Sequence, residues 1–364
     1  MSLQCGIVGL PNVGKSTVFN ALTGSSVPAN NYPFCTIEPH IGIVGLPDLR
    51  LDNLSKIYNP EKTTPSTVEF IDIAGLVEGA NKGEGLGNQF LGQIRQTSAI
   101  LHVVRCFDDE SITHIDGNVN PVRDIKTIET ELLLTDIMSL EKRLSKAQKA
   151  SKVISKSNDY ELELLEYLIN KCLDGIAVRD IPIKSEFGLI KSSLQLLTDK
   201  PVLFIANVDE KTILGTEKNS YLLDLIDYAH QGNVIFLCAS IEQEISLLEK
   251  NERSLFLKEY NLSEPGLNKV IRSSFDILEL ECFFTCGEKE VRSWTINKGT
   301  SAPEAAGVIH SDFRRGFIKA DVFNYEDILN HKSEKVLRDL GLINQEGKDY
   351  IVKDGDCIYF RFNV

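Results

Sequence analysis

This 364-residue chain predicts an α/β fold: a mostly parallel sheet, an inserted α-helical hairpin and a C-terminal β-rich domain. Three observations carry that prediction. From residue 1 to 125, short apolar runs alternate with helical stretches, as in a wound sheet. From Lys126, apolar residues recur at three-then-four spacing amid Lys, Glu and Ser, which is the signature of packed helices. Beyond Leu280 begins a region rich in short β-type runs. The expected domains are therefore 1–125 with 198–280, an insertion at 126–197, and a last domain at 281–364.

Gln4-Cys5-Gly6-Ile7-Val8 reads as a short buried strand leading into Gly9-Leu10-Pro11-Asn12-Val13-Gly14-Lys15-Ser16-Thr17. Glycines at the first and sixth positions let the backbone turn tightly and aim successive N–H groups, from Asn12 to Thr17, at phosphate oxygens. Lys15 brings a mobile positive charge to the β and γ phosphates, and the Ser16 hydroxyl is a ligand for Mg²⁺. Thr17 to Leu22 opens a helix whose N-terminal dipole favours the bound anion. A plain glycine turn is the competing reading. The strand before it and the helix after it argue for the phosphate loop.

Two further pieces follow in the order a nucleotide switch needs. Glu69-Phe70-Ile71-Asp72 is an apolar strand ending in a carboxylate, followed by Ile73-Ala74-Gly75. That spacing puts Asp72 near the metal and lets the Gly75 amide sense the γ phosphate. Between the motifs, Asn31 to Thr36 supplies a loop threonine, Thr36, to complete the metal shell. The glycine-rich run Lys82 to Asn88 reads as a switch segment that closes only when held.

Ile100 to Val104 is a further core strand. Leu133, Ile137, Leu140, Leu144 and Ala147, then Leu162, Leu165, Leu168 and Cys172, predict a coiled-coil-like hairpin with its turn near Ser155 to Asn158. Pro201 to Asn207 and Val234 to Ser240 are strands ending in polar loops. Ligands bind at the carboxyl ends of such strands, so Asn207, Val208, Glu210 and Ser240 are expected to wall a base pocket. In the last region Phe283 to Thr285, Val291 to Ile296 and Cys357 to Phe362 read as strands, and Asp354-Gly355 as a hairpin turn.

Composition limits the partners. A formal net charge of −13 argues against broad wrapping of nucleic acid, leaving only a local basic face. Eight scattered cysteines without a Cys-x-x-Cys argue against zinc ribbons and thioredoxin chemistry, and reduced cytoplasmic thiols are the default. No apolar run approaches the roughly 18 residues of a membrane span and no signal peptide is evident, so a cytoplasmic protein is expected.

The chain resembles the Obg-like ATPases of YchF type, within the translation-factor-related P-loop GTPases. The likeness rests on Gly9 to Thr17, Asn31 to Pro39, Asp72 to Val77, Lys82 to Phe90, Asn207-Val208-Asp209-Glu210, Asp354-Gly355-Asp356 and Phe362-Asn363-Val364. It covers essentially the whole chain. It implies a nucleotide domain, a helical insertion and a C-terminal β-grasp module called TGS. It also implies ATP hydrolysis to ADP and phosphate with Mg²⁺, and the ribosome, as large subunit or whole particle, as partner.

A guanine-selective GTPase carries Asn-Lys-x-Asp where this chain has Asn207-Val208-Asp209-Glu210. Valine replaces the lysine stem that lies along the base, and a longer carboxylate misaligns the paired guanine bonds, so GTP preference weakens. The resemblance supplies the choice of ATP, with Asn207 and the Val208 backbone meeting adenine. Leu76 stands where many GTPases place a water-orienting glutamine, which predicts slow turnover. By the resemblance His114 matches a histidine considered for that role, while a surface-loop histidine is the alternative. Asn12 either helps hold K⁺ against the phosphates or simply turns its loop. Arg314, Arg315 and Lys319 either face RNA through the TGS domain or lie on a solvated face. Against the leading reading stand a GTPase of the Obg class, and a nucleotide-dependent binding module with negligible turnover. A metabolic P-loop kinase is disfavoured, since no arginine-rich lid follows the motifs.

Overall fold

The computed structural model describes residues 4–24, 40–73, 86–151, 156–229 and 233–363. The chain forms two compact units, one from Met1–Gly42 with Glu69–Val270, the other from Ile43–Val68 with Ile271–Val364. This differs from the boundaries expected above, because residues 43–68 pack with the C-terminal residues.

One six-stranded sheet is formed by β1 (Gln4–Val8), β2 (Ile41–Gly45), β4 (Thr67–Asp72), β5 (Ala99–Arg105), β6 (Val202–Asn207) and β7 (Val234–Leu237); β1, β5, β6 and β7 lie wholly in the first unit, and β3 in the second. The sheet order is β2-β4-β1-β5-β6-β7. β1 pairs parallel with both β4 and β5, and β5–β6 and β6–β7 are parallel as well. Every residue of β5 and of β6 is buried, as expected where helices cover both faces of a parallel sheet. The chain order reverses direction around β1, so the crevice beyond its carboxyl end is a topological switch point.

The helices of this unit that matter below are α1 (Lys15–Gly24), α3 (Leu86–Gln96), α4 (Pro121–Ser151), α5 (Lys156–Leu173), α6 (Gly188–Leu194), α7 (Glu210–Ile213), α8 (Ser220–Tyr228), α9 (Ala239–Leu247) and α10 (Lys250–Glu259), with α2 (Leu49–Tyr58) in the second unit. α4 and α5 form the expected hairpin around Ile137, Leu140, Leu164, Leu165, Leu168 and Cys172. Val178, Ile181, Phe187 and Leu196 from the returning chain close that core. The expected turn at Ser155 to Asn158 falls partly outside the described residues, and Lys156 to Asn158 already belong to α5. α4 also begins earlier than the expected insertion, and its first turns pack against β5 and α8 of the sheet. The buried Asp136 carboxylate fastens the hairpin to the chain returning toward β6, accepting from the Leu197 and Thr198 amides and the Thr198 hydroxyl at 2.7–2.8 Å. Burial pushes the Asp136 carboxyl up, and those three bonds oppose it.

The second unit holds a sheet ordered β11-β10-β12-β8-β9-β3, from β3 (Lys62–Thr64), β8 (Leu280–Thr285), β9 (Glu290–Asn297), β10 (Phe317–Asn324), β11 (Asn344–Glu346) and β12 (Asp356–Phe362). A β8–β9 hairpin is followed by a helix at Ala302–Ile309, and β12 returns parallel beside β8, which is the β-grasp arrangement. β3 adds to the free edge of β9, and Leu51 and Leu54 of α2 enter the core with Phe284, Val291 and Phe323. That is why residues 43–68 join this unit. Asp354-Gly355 is a turn but not the expected hairpin: β12 pairs with β10 and β8, neither of which immediately precedes it. Gly355 sits at φ +90° and donates to the Cys282 carbonyl at 2.8 Å.

Arg315 pairs with Asp312 at 2.6 Å, Arg314 lies 3.9 Å from Glu304, and Lys319 donates to Gln345 at 2.8 Å. Each of the three basic residues singled out in the sequence is matched by a neighbour of its own unit.

Candidate nucleotide site at the carboxyl edge of the parallel sheet

Between β1 and α1 the backbone must reverse in a narrow space. A Cβ on Gly9 would stand 2.7 Å from the Val103 carbonyl oxygen, and one on Gly14, at φ +95°, would collide with the Asn207 amide. Both positions therefore require glycine for the close approach of neighbouring strands, apart from any ligand. Asn12 occupies the left-handed region at φ +62°, which asparagine tolerates better than most residues. Its amide donates to the Thr113 carbonyl at 3.1 Å. Lys15 and Ser16 open α1; the Ser16 side chain is exposed and Thr17 is half-buried. The Lys15 ammonium forms an ion pair with Asp72 at the end of β4. The phosphate-loop cation and the strand-end carboxylate therefore lie in one place.

The loop after β5 is shaped by a residue the sequence reading passed over. Arg105 is 2 % exposed, and its guanidinium donates to the carbonyls of Phe107, Asp109 and Ile112 at 3.0–3.2 Å. An arginine closing a mostly apolar strand was the available signal. Folded around it, the loop delivers His114 next to Thr113, the residue Asn12 holds. His114 is 8 % exposed, not a surface-loop residue. Its Nδ1 accepts from the Asp116 amide at 3.1 Å, so Nε2 carries the proton and donates to Asp124 in the first turn of α4 at 2.9 Å. Arg123 bonds the other Asp124 oxygen at 3.0 Å and lies 3.3 Å from Asp116. His114, Asp116 and Asp124 are close enough to suggest a metal trio, but with Arg123 on both acids they form an ion-pair network.

At the end of β6 the motif residues all have protein partners. Asn207 is 4 % exposed and bridges two walls: its amide donates to the Val13 carbonyl at 2.9 Å, and its oxygen accepts from the Ala239 amide at 3.0 Å. It acts as a brace between the phosphate loop and the start of α9, rather than as the adenine-facing side chain expected above. The Val208 side chain is buried and its N–H donates to the Leu237 carbonyl at 2.9 Å. Asp209 caps α7, accepting from the Thr212 amide at 2.9 Å. Glu210 is exposed and accepts from the Tyr260 hydroxyl at 2.9 Å. Ser240 is exposed at the start of α9, 3.1 Å from the Cys238 thiol. Thr36, Gly75 and Leu76 lie outside the described residues, as does the Lys82 to Gly85 part of the glycine-rich run.

A glycine loop between a parallel strand and a helix, a lysine–aspartate pair at the next strand end and a bridging asparagine from β6 define a P-loop nucleotide-binding protein of the GTPase superfamily. Comparison with known proteins agrees. The family model described as "50S ribosome-binding GTPase" matches residues 4–136, and the YchF-GTPase C-terminal model, described as "Protein of unknown function (DUF933)", matches 280–363. Proteins named "Ribosome-binding ATPase YchF" are similar over the full length of both chains: 50% identical in Haemophilus ducreyi, 49% in Escherichia coli O157:H7 and 48% in Bacillus subtilis. A solved structure titled as the Schizosaccharomyces pombe YchF GTPase superposes with a TM-score of 0.89 at 38% identity, covering 99% of this chain and 98% of that one. The chain belongs to the YchF family. No helix among the described residues is long and apolar enough to cross a membrane.

Proposed function

We propose that this protein is a cytoplasmic Mg²⁺-dependent ATPase that hydrolyses ATP, in preference to GTP, to ADP and phosphate and works as a ribosome-associated nucleotide switch. The names of its relatives support ATP hydrolysis and ribosome binding. The observation that carries the base preference is the committed state of Asn207-Val208-Asp209-Glu210. Valine points into the core, where no lysine stem can lie along a guanine, and the aspartate is taken by a helix cap.

In this reading the main-chain amides of Asn12 to Thr17 cradle the phosphates, and Lys15 leaves Asp72 to meet the charge that develops on the β–γ bridge. The donor set suits Mg²⁺: hard oxygen ligands from the exposed Ser16 hydroxyl and the Asp72 carboxylate lie beside the cradle, with Thr36 as the third residue that would hold it. Bound there, the ion supplies neutralisation of phosphate charge. The Gly75 amide reports the presence of the γ phosphate. The bond from Asn12 to Thr113 supports loop bracing as its role rather than K⁺ binding.

His114 is proposed to orient the attacking water. Both its ring nitrogens are engaged, so it acts only when the loop turns one of them toward the phosphate. That same engagement favours a second reading, a nucleotide-dependent binding module with very slow turnover. The name GTPase on the fission-yeast relative keeps the guanine question experimental. Affinity and single-turnover hydrolysis for ATP and GTP, in one Mg²⁺ buffer with and without ribosomes, test all of this. The reading expects tighter ATP binding, hydrolysis and co-sedimentation with ribosomes. Comparable dissociation constants for the two nucleotides contradict it.

A further inference from the structure

Glu210 stands where a guanine-reading carboxylate would, but it does not stand alone. The Tyr260 hydroxyl, from the residue that ends α10, donates to one of its oxygens at 2.9 Å. The ring behind that hydroxyl is anchored: it lies 4.9 Å from the Phe256 ring, centroid to centroid, and packs on the cluster of Cys238, Ile241 and Ile245 beneath α9. Tyr260 is thus a fixed donor reaching the motif from a segment fifty residues downstream.

The chemistry of the two bases makes that donor consequential. Guanine presents two adjacent donors, its ring N1–H and its exocyclic amine, and a free carboxylate answers them with two oxygens. Adenine presents one exocyclic amine beside a ring nitrogen that only accepts. A phenol bonded to one oxygen takes only one of the carboxylate's lone-pair sites, but it fixes how the group is turned, so the two oxygens are no longer free to swing onto both guanine donors, whereas one acceptor still answers adenine's single amine. A base whose donors are poorly matched by the site binds more weakly than one whose donors are met, which is how such sites discriminate.

We propose that Tyr260 is a specificity-determining residue that acts by positioning Glu210, fixing its carboxylate so that it answers adenine's single amine rather than guanine's paired donors. The proposal rests on the ATP-preferring reading and names the group that sets the preference. The bond also holds the tyrosine in its neutral donor form, with the phenol pushed up to about 12, chiefly by the hydrogen bond to Glu210.

The test is a double-mutant cycle on the full chain, with ATP and GTP dissociation constants measured in one Mg²⁺ buffer. Tyr260→Phe keeps the ring against Phe256 and removes only the hydroxyl. It is expected to tighten GTP binding, so that the ATP-to-GTP preference falls by roughly tenfold, the effect of one hydrogen bond. In a Glu210→Ala background the same change should leave the ratio alone. A purely structural role for Tyr260 would weaken both nucleotides equally and leave the ratio fixed in either background. Wild type that prefers ATP, with an unchanged ratio in Tyr260→Phe, overturns this inference and leaves the ATP reading standing. Wild type with no preference overturns the ATP reading, and this inference with it, because the hydroxyl then discriminates nothing.

Discussion

At the phosphate end of the crevice, Gly9 to Thr17 presents backbone amides and an exposed Ser16 hydroxyl, and the Lys15 and Asp72 charges pair with each other. At the base end, Asn207, Val208, Asp209 and Glu210 each already answer to a protein partner: Val13 and Ala239, Leu237, Thr212 and Tyr260. One end is built chiefly from main chain. The other is built from side chains whose meaning depends on what holds them. The triphosphate is common to all nucleotides, so a local motif suffices to bind it, whereas choosing a base requires side chains brought from distant segments.

The sharpest way to break this contrast is Lys15→Ala. If the phosphate end works through charge alone, removing the ammonium should lower single-turnover hydrolysis by about a hundred- to a thousandfold for ATP and GTP alike. It also frees Asp72 from its partner, so nucleotide affinity should be measured beside the rate. A loss confined to one nucleotide would mean that the two ends do not act separately.

The same contrast explains what the sequence made legible. Gly9, Gly14, Lys15, Ser16 and Asp72 were readable as motif positions because a phosphate loop is defined by local spacing, while the Lys15–Asp72 pair is visible only once β1 and β4 lie side by side. The hairpin was readable because Leu140, Leu165 and Leu168 keep a helical period along each helix. Three things were not. The membership of residues 43–68 in the second unit depends on β3 meeting β9, more than two hundred residues away, and no local pattern records that. Asn207 reads as a base contact by motif, but its partners come from the loop at Val13 and the start of α9 at Ala239. Tyr260 carries no motif at all.

His114 lies between the two plans, since it sits in a polar loop yet is buried and doubly bonded. His114→Ala should lower the rate of hydrolysis by about a hundredfold while leaving ATP affinity unchanged, the pattern of a group that acts on the water and not on the nucleotide. A rate equal to wild type would reduce His114 to a fastener between the loop and α4. In that case the network of Asp124, Asp116 and Arg123 serves packing alone.

Asn207 offers the finest distinction. By motif it belongs to the base end; by its bonds it belongs to the phosphate end, because it supports the Val13 carbonyl from below and keeps the start of α9 in place. Asn207→Ala removes both bonds and leaves the Val13 carbonyl and the Ala239 amide without that partner, which costs about 1–3 kcal/mol for each buried group that finds no substitute. Partial relaxation leaves an expected loss of roughly tenfold in nucleotide affinity. What matters is how that loss divides. If Asn207 is a brace, the loop above it loosens and ATP and GTP weaken by the same factor, since both lean on the same phosphate cradle. If it reads the base, ATP should lose affinity while GTP loses little. Binding curves for the two nucleotides on this one variant therefore decide to which end of the crevice the asparagine belongs, and equal losses place it with the phosphates.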